Sequence, residues 1–245
     1  MIDTILFDLD GTLLPLDIDK FTEIYFNEMG HMFKDMIEPK LLVKYIWAAT
    51  QEMVANIEYK TNEEVFMKKF SELIGGDITE YQTQFDDFYD TLFHKTREAV
   101  QSQSVIKDSV DILKAKNYKL VIATNPLFPR KAILHRIEWA GLDPKDFIYI
   151  TSYENNHYCK PQLHFYQEIL DVIGKKPEQC MMVGNDVQED LVAARLGTKT
   201  FLVEDNIINR SNMEIISDYR GTYQELFQFV EALPNLHEHN DKDVI

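Results

Sequence analysis

The 245-residue sequence predicts an α/β protein, a doubly wound parallel sheet interrupted by an inserted all-helical unit. Three observations predict it. Five short apolar runs rich in β-branched residues lack the alternation of a half-exposed sheet, as strands covered on both faces do. Segments of helical period separate the later runs. About 100 residues lie between the first run and the second, far more than a single crossover needs.

The first strand is Thr4–Phe7. Beyond it Phe21, Ile24, Tyr25, Met29, Met32, Phe33 and Met36 recur at helical spacing, and Leu42, Tyr45, Ile46, Ala49 and Met53 repeat the pattern after Pro39. Thr61 and Glu64 form a capping-box signature ahead of Val65, Phe66, Phe70 and Leu73, and Gly75-Gly76 closes that helix. Ile78, Tyr81, Phe85, Phe88, Tyr89 and Leu92 mark a fourth. Aromatic residues at this spacing read first as core, although a helical lid over a sheet would set a few of them above a site. The chain rejoins the α/β unit near Val105. The other strands are Lys119–Thr124, Phe147–Thr151, Cys180–Gly184 and Lys199–Val203. Helices are expected from Pro126 to Gly141, from Pro161 to Gly174 and over Val187–Leu196 before Gly197, the first two with proline near the start and all with glycine at the end. Residues 1–16 and 96–233 thus form the α/β unit, 17–95 the insertion, and 234–245 a polar tail expected to fray.

Composition narrows the function classes. The chain is 45% hydrophobic and 27% charged, with a formal net charge of −16. That field repels a phosphodiester backbone, which disfavours a polymeric nucleic-acid partner, while a small anion stays admissible wherever cations invert the local sign. No apolar stretch reaches the roughly 20 residues of a membrane span, and no signal peptide is read at the N-terminus. Cys159 and Cys180 have no metal-like spacing and read as reduced structural thiols, which suggests the cytoplasm.

Ligands of open α/β sheets bind beyond the carboxyl ends of the strands. Those ends carry Asp8 and Asp10 with Gly11-Thr12, then Thr124 and Asn125, then Lys160 before Pro161, then Asp186 and Asp190. Four carboxylates and one ammonium leave three surplus negative charges, and mutual repulsion would push some of the acids toward protonation. One divalent cation relieves this. Carboxylates and water suit a hard ion, and Mg²⁺ takes one or two carboxylates together with phosphate oxygens of a substrate. Asp8 and Asp186 are the expected side-chain ligands, Asp10 the expected carbonyl ligand. Asp190, one helical turn beyond Asp186, is expected to orient it.

With that ion the residue types suit phosphoryl transfer. Asp8 can attack phosphorus, and Asp10 can protonate the leaving oxygen and then deprotonate water. Thr124, Asn125 and Lys160 are the expected phosphate-binding groups. Singly each element is ordinary: a D-x-D pair in a turn, a lysine before proline, a G-N-D turn. D-x-D-G-T is more demanding, and the ordered set at four strand ends is the strong signal.

"FDLDGTLL", "VIATN", "YCKP" and "MMVGNDVQEDLVAARLGTKTFLV" together resemble, in that order, the four motifs of the haloacid dehalogenase-like hydrolase superfamily, and "GKKPEQC" matches the lead-in to the last. The resemblance covers the whole α/β unit. It implies a modified Rossmann core of strand order 5-4-1-2-3, a mobile helical cap of the first type, Asp8 as nucleophile, Asp10 as acid/base, Thr124 and Lys160 as the second and third motif residues, and Asp186 and Asp190 as the acids of the fourth. Asn185, between Gly184 and Asp186, departs from the family pattern. The expected activity is Mg²⁺-dependent hydrolysis of a small phosphorylated metabolite through an aspartyl phosphate. The alternatives are a phosphosugar mutase, a 2-haloacid dehalogenase (which needs no acid at position 10) and a catalytically silent binding module. His157, His31 and His94 are the histidines best placed to meet substrate; Arg130 and Lys131 open a helix beside Thr124 and could meet a second anionic group.

Overall fold

The computed structural model describes residues 1–101 and 103–236. The part of the polar tail beyond Leu236 lies outside the described residues. Six parallel strands form one sheet: β1 (Thr4–Phe7), β2 (Lys119–Ile122), β3 (Tyr149–Ile150), β4 (Cys180–Gly184), β5 (Lys199–Val203) and β6 (Tyr219–Gly221), in the order β3-β2-β1-β4-β5-β6. The expected order of five is present, read from the other edge. The correction is β6. It runs beside β5 from Phe201↔Tyr219 to Val203↔Gly221, and its exposed Tyr219 and Arg220 give it no apolar run to detect.

Among the described residues eight α-helices accompany the sheet: α1 (Ile18–Phe33), α2 (Pro39–Ala55), α3 (Asn62–Ile74), α4 (Thr79–Thr91), α5 (Ser104–Ala115), α6 (Arg130–Trp139), α7 (Leu163–Ile173) and α8 (Tyr223–Ala232). The Thr61–Glu64 capping box closes at the start of α3, and Gly75 ends that helix in the left-handed region at φ 72°. Residues 187–196 correct the expectation of a regular helix. The chain makes turns from Val187 and then a 3₁₀ segment over Leu191–Leu196, because the Asp186 carboxylate takes the amides of Gln188 and Glu189 into a tight turn. The helix expected from Pro126 begins four residues later, at Arg130.

Leu6, Val121 and Met182 pack beneath α7 on one face of the sheet, while Ile5, Phe7, Ile122 and Val183 meet α5, α6 and α8 on the other. The insertion has its own core, in which Phe21, Tyr25, Phe33, Phe70, Phe85 and Phe88 interlock edge-to-face and stacked. It is joined to the sheet unit along two edges. The chain enters and leaves through an antiparallel bridge between Leu16 and Val100. On the other edge, the amides of Asn62 and Glu63 donate to the carbonyls of Asn156 and Tyr153, and Gln162 Nε2 donates to the carbonyls of Val54 and Asn56. The four helices therefore lie across the carboxyl ends of the central strands.

Candidate active site

Parallel pairing sets the first residues of the site side by side. The Asp8 amide donates to the Val183 carbonyl at 2.9 Å, and the Ala123 amide to the Phe7 carbonyl at 2.7 Å, so the ladder continues just past the strands and sets Asp8 beside Ala123 and Gly184, one residue before Thr124 and two before Asp186. After Asp10 the chain turns sharply. The Gly11 amide donates to Leu14, the Leu14 amide to Leu9, and Gly11 sits at φ +85°. A Cβ at position 11 would lie 2.3 Å from Asn185 Nδ2, so the glycine meets a steric demand as well as a conformational one. Asn185 is the reason. Its Oδ1 accepts from the Thr12 hydroxyl at 2.9 Å and its Nδ2 donates to the Asn206 carbonyl at 2.7 Å. The departure from the family pattern thus ties the first motif's loop to the end of β4.

Lys160 is 1% exposed and donates to Asp8 Oδ1 at 2.8 Å and to Asp190 Oδ1 at 2.6 Å. The other oxygen of Asp190 accepts the Asp186 amide at 2.9 Å. Asp190 therefore positions both Lys160 and Asp186, the second through main chain. Gly184 makes the approach possible, since a Cβ there would lie 2.1 Å from Asp190 Oδ2. Asn125 spends its side chain inside the site: Nδ2 donates to Glu189 at 3.1 Å and Oδ1 accepts the Lys160 amide at 3.2 Å. Thr124 is buried and lines the same cavity as Asp8, Asp10, Asn125, Asp186 and Asp190.

Three charged residues join this set without having been expected. Arg136, on α6, is 1% exposed; its guanidinium pairs with Asp10 Oδ2 and lies 4.5 Å over the Phe128 ring. Arg210, in the loop after β5, pairs with Asp186 Oδ2 and lies 3.7 Å from Glu189. Glu189 is the third. The five carboxylates now face three cations, so the surplus falls to two negative charges. Burial pushes Asp10 above the ordinary carboxylate range; Arg136 opposes that shift and the charge of Asp8 adds to it. Burial opposes the charge on Lys160, but Asp190 and Asp8 hold its pKa well above that of an ordinary lysine. Burial likewise raises Glu189, against the pull of Lys160.

Asp10 Oδ1 is buried without a hydrogen-bond partner. One oxygen of this residue is fixed by Arg136 and the other has no protein partner. Asp10 also lines a second cavity of about 320 Å³ beneath the helical insertion, which shares Ile18, Leu127, Phe128 and Arg210 with the first.

The remaining candidates lie elsewhere. His157 pairs with Glu168 and stacks on Tyr59 with centroids 3.8 Å apart, and it lines neither cavity. His31 and His94 also line neither. Lys131 is paired with Asp86 and Asp90 of α4, and the Arg130 amide is bound by Glu154. Both cysteines are free and buried.

The donor set fits a hard divalent cation. Asp8, Asp10 and Asp186 line one cavity, and Arg210 already serves as positive counter-charge on Asp186. Two surplus negative charges are what one such ion neutralises. Among the described residues no three His, Cys, Asp or Glu side chains group closely enough to enclose a metal by themselves; two carboxylates, a carbonyl and substrate or water oxygens make up the set Mg²⁺ uses.

The model of the haloacid dehalogenase-like hydrolases matches residues 2–197. The pyrophosphatase PpaX of Bacillus cereus (strain AH820) is 24% identical over 213 residues, 87% of this chain and 88% of that protein. Many solved structures share the fold. The HAD phosphatase from Thermococcus onnurineus superposes with a TM-score of 0.59 at 18% identity, covering 96% of this chain and 100% of its own. YfnB from Bacillus subtilis, a putative HAD-hydrolase bound to magnesium, gives 0.57 at 19%, covering 94% and 99%. The L-2-haloacid dehalogenase of Xanthobacter autotrophicus gives 0.59 at 13%, covering 95% and 100%, so the fold does not separate phosphorus from carbon chemistry. The matched stretch runs from before Asp8 to beyond Asp190 and contains every strand-end residue described above: the chain belongs to the haloacid dehalogenase-like hydrolases.

Proposed function

We propose that the protein is a Mg²⁺-dependent phosphomonoester hydrolase acting on a small phosphorylated metabolite in the cytoplasm. The observation that carries the reading is Asp10. Its Oδ2 is held by Arg136, its Oδ1 has no partner, and burial, with the charge of Asp8 beside it, raises its pKa against the pull of Arg136. A residue so placed is a proton donor, and displacement at carbon has no use for one at this point. The pyrophosphatase and phosphatase relatives support the same direction.

In this reading Asp8 attacks phosphorus as the bond to the leaving oxygen breaks, and Asp10 gives that oxygen a proton. Asp10 then takes a proton from the water that splits the aspartyl phosphate, which returns both residues to their starting state. Lys160 and Thr124 hold phosphoryl oxygens, and Asp190 keeps Lys160 charged and in place. The carboxylates of Asp8 and Asp186 and the Asp10 carbonyl would hold Mg²⁺, which would supply neutralising charge at the phosphoryl group. The helical insertion acts as the cap that shuts out bulk water. The buried free thiols favour a reducing compartment, and no helix among the described residues is long and apolar enough to cross a membrane.

Phosphate release from an aryl phosphate is expected to require Mg²⁺; equal rates in excess chelator would refute the metal-dependent scheme. Turnover of 2-chloropropionate without phosphatase activity would move the chain to the dehalogenases. A hexose phosphate separates hydrolase from mutase, since a mutase conserves phosphate and yields an isomer.

A further inference from the structure

The cavity under the helical insertion has an unusual lining for a site that opens on carboxylates and arginines. It begins at Asp10 and Arg210, where it meets the first cavity, and runs away from the strand ends between α1, α2, α3 and α4. Phe21, Phe26, Trp47, Phe66, Phe85 and Phe128 supply its walls. Of its charged groups, Asp10 and Arg210, both stand at the mouth. Its inner polar points are uncharged: Tyr25 and Tyr89, whose buried hydroxyls bond each other at 2.8 Å, with Tyr153, Thr22 and Thr50. Such a wall gains nothing from a sugar, a carboxylate or a second phosphate. Each would leave its hydration shell for a surface that returns few hydrogen bonds. An apolar group, by contrast, is stabilised roughly in proportion to the area it buries there, and an aromatic ring finds edges and faces to pack on. A volume of about 320 Å³ admits a group the size of one or two fused rings.

We propose that this chamber receives the leaving group of the substrate, and that this group is an uncharged apolar alcohol, best accommodated when it carries an aromatic ring. The inference rests on the phosphatase reading and gives its substrate class. The phosphate lies among Asp8, Thr124 and Lys160, the ester oxygen faces Asp10, and the carbon skeleton passes Phe128 into the chamber. The reactions that supply such a substrate are phosphorylations of hydrophobic alcohols, and the product is the free alcohol with inorganic phosphate.

The test compares 2-(1-naphthyl)ethyl phosphate with glycerol 1-phosphate and pyrophosphate. The first two are primary alkyl esters with leaving oxygens of similar basicity, so their ratio reports the chamber rather than intrinsic reactivity. With wild-type enzyme and Mg²⁺, kcat/KM for the naphthyl ester is expected to exceed both others at least tenfold, and Thr50→Glu, which puts a charge in the chamber, is expected to cut that lead at least tenfold. Equal or reversed preference in wild type, or a lead that survives Thr50→Glu in a folded variant, overturns the proposal. Where no phosphate is released from any of the three, the phosphatase reading fails instead, and the chamber is judged by calorimetric binding of 2-(1-naphthyl)ethanol. Binding to wild type that Thr50→Glu abolishes supports an apolar ligand site; no binding to wild type overturns it.

Discussion

The floor of the site and its roof are built on opposite principles. At the strand ends each position has one acceptable identity. Asp8, Asp10, Lys160, Asp186 and Asp190 are joined by hydrogen bonds and ion pairs that no other side chains would reproduce. In the helical insertion the same space could be closed by many combinations of large apolar side chains, since packing asks for volume and shape rather than for a named group. On the proposed reading, chemistry is concentrated in a few intolerant positions and recognition is spread over many tolerant ones. Substitutions in the two regions should differ by orders of magnitude.

Asp8→Asn is expected to have the largest effect, removing phosphate release by at least about 10³-fold by loss of the nucleophile, in a protein whose circular dichroism is unchanged. Asp10→Asn should follow at about 10²–10⁴-fold in kcat with little change in KM, which steady-state kinetics on an aryl phosphate will show. Arg136→Met leaves the partly exposed Asp10 carboxylate without its partner. A loss of roughly 1–3 kcal/mol in urea unfolding is expected, and turnover should fall as Asp10 loses its fixed orientation. Gly11→Ala should cost about 2 kcal/mol or more from the left-handed backbone and the overlap with Asn185; the double variant with Asn185→Ala should lose less than the sum, by the same unfolding measurement. Trp47→Ala, at a half-exposed chamber wall, is expected to lower kcat/KM for the naphthyl ester no more than about tenfold. A roof substitution that matched Asp10→Asn would break the comparison.

The same contrast explains what could be read from the sequence. The strand-end carboxylates were legible because sheet chemistry places ligands there and because their order along the chain is fixed. The helices of the insertion were legible from period alone, down to the capping box at Thr61. Arg136 and Arg210 were not. A guanidinium reaches a site from several residues away, one here from a helix face and the other from an irregular loop, and neither element has a set spacing to a motif. Glu189 stands inside a motif, but nothing in its spacing marks it; only the fold shows Asn125 and Arg210 beside it. The apolar chamber was beyond sequence reasoning for another reason: an aromatic residue at helical spacing looks the same whether it fills a core or lines a cavity. β6 escaped because an edge strand with two exposed residues carries no burial pattern at all.

The pairing of Gly11 with Asn185 has a consequence for how such a chain can change over generations. The two positions are neighbours in space and far apart in sequence, and they compete for one volume. A descendant that acquires a side chain at position 11 while Asn185 remains inherits a clash, and one that first trades Asn185 away loses the partner of the Thr12 hydroxyl. Each single step is therefore harmful on its own, so the asparagine, once settled beside the glycine, becomes hard to dislodge. Lineages that carry it should keep both residues together.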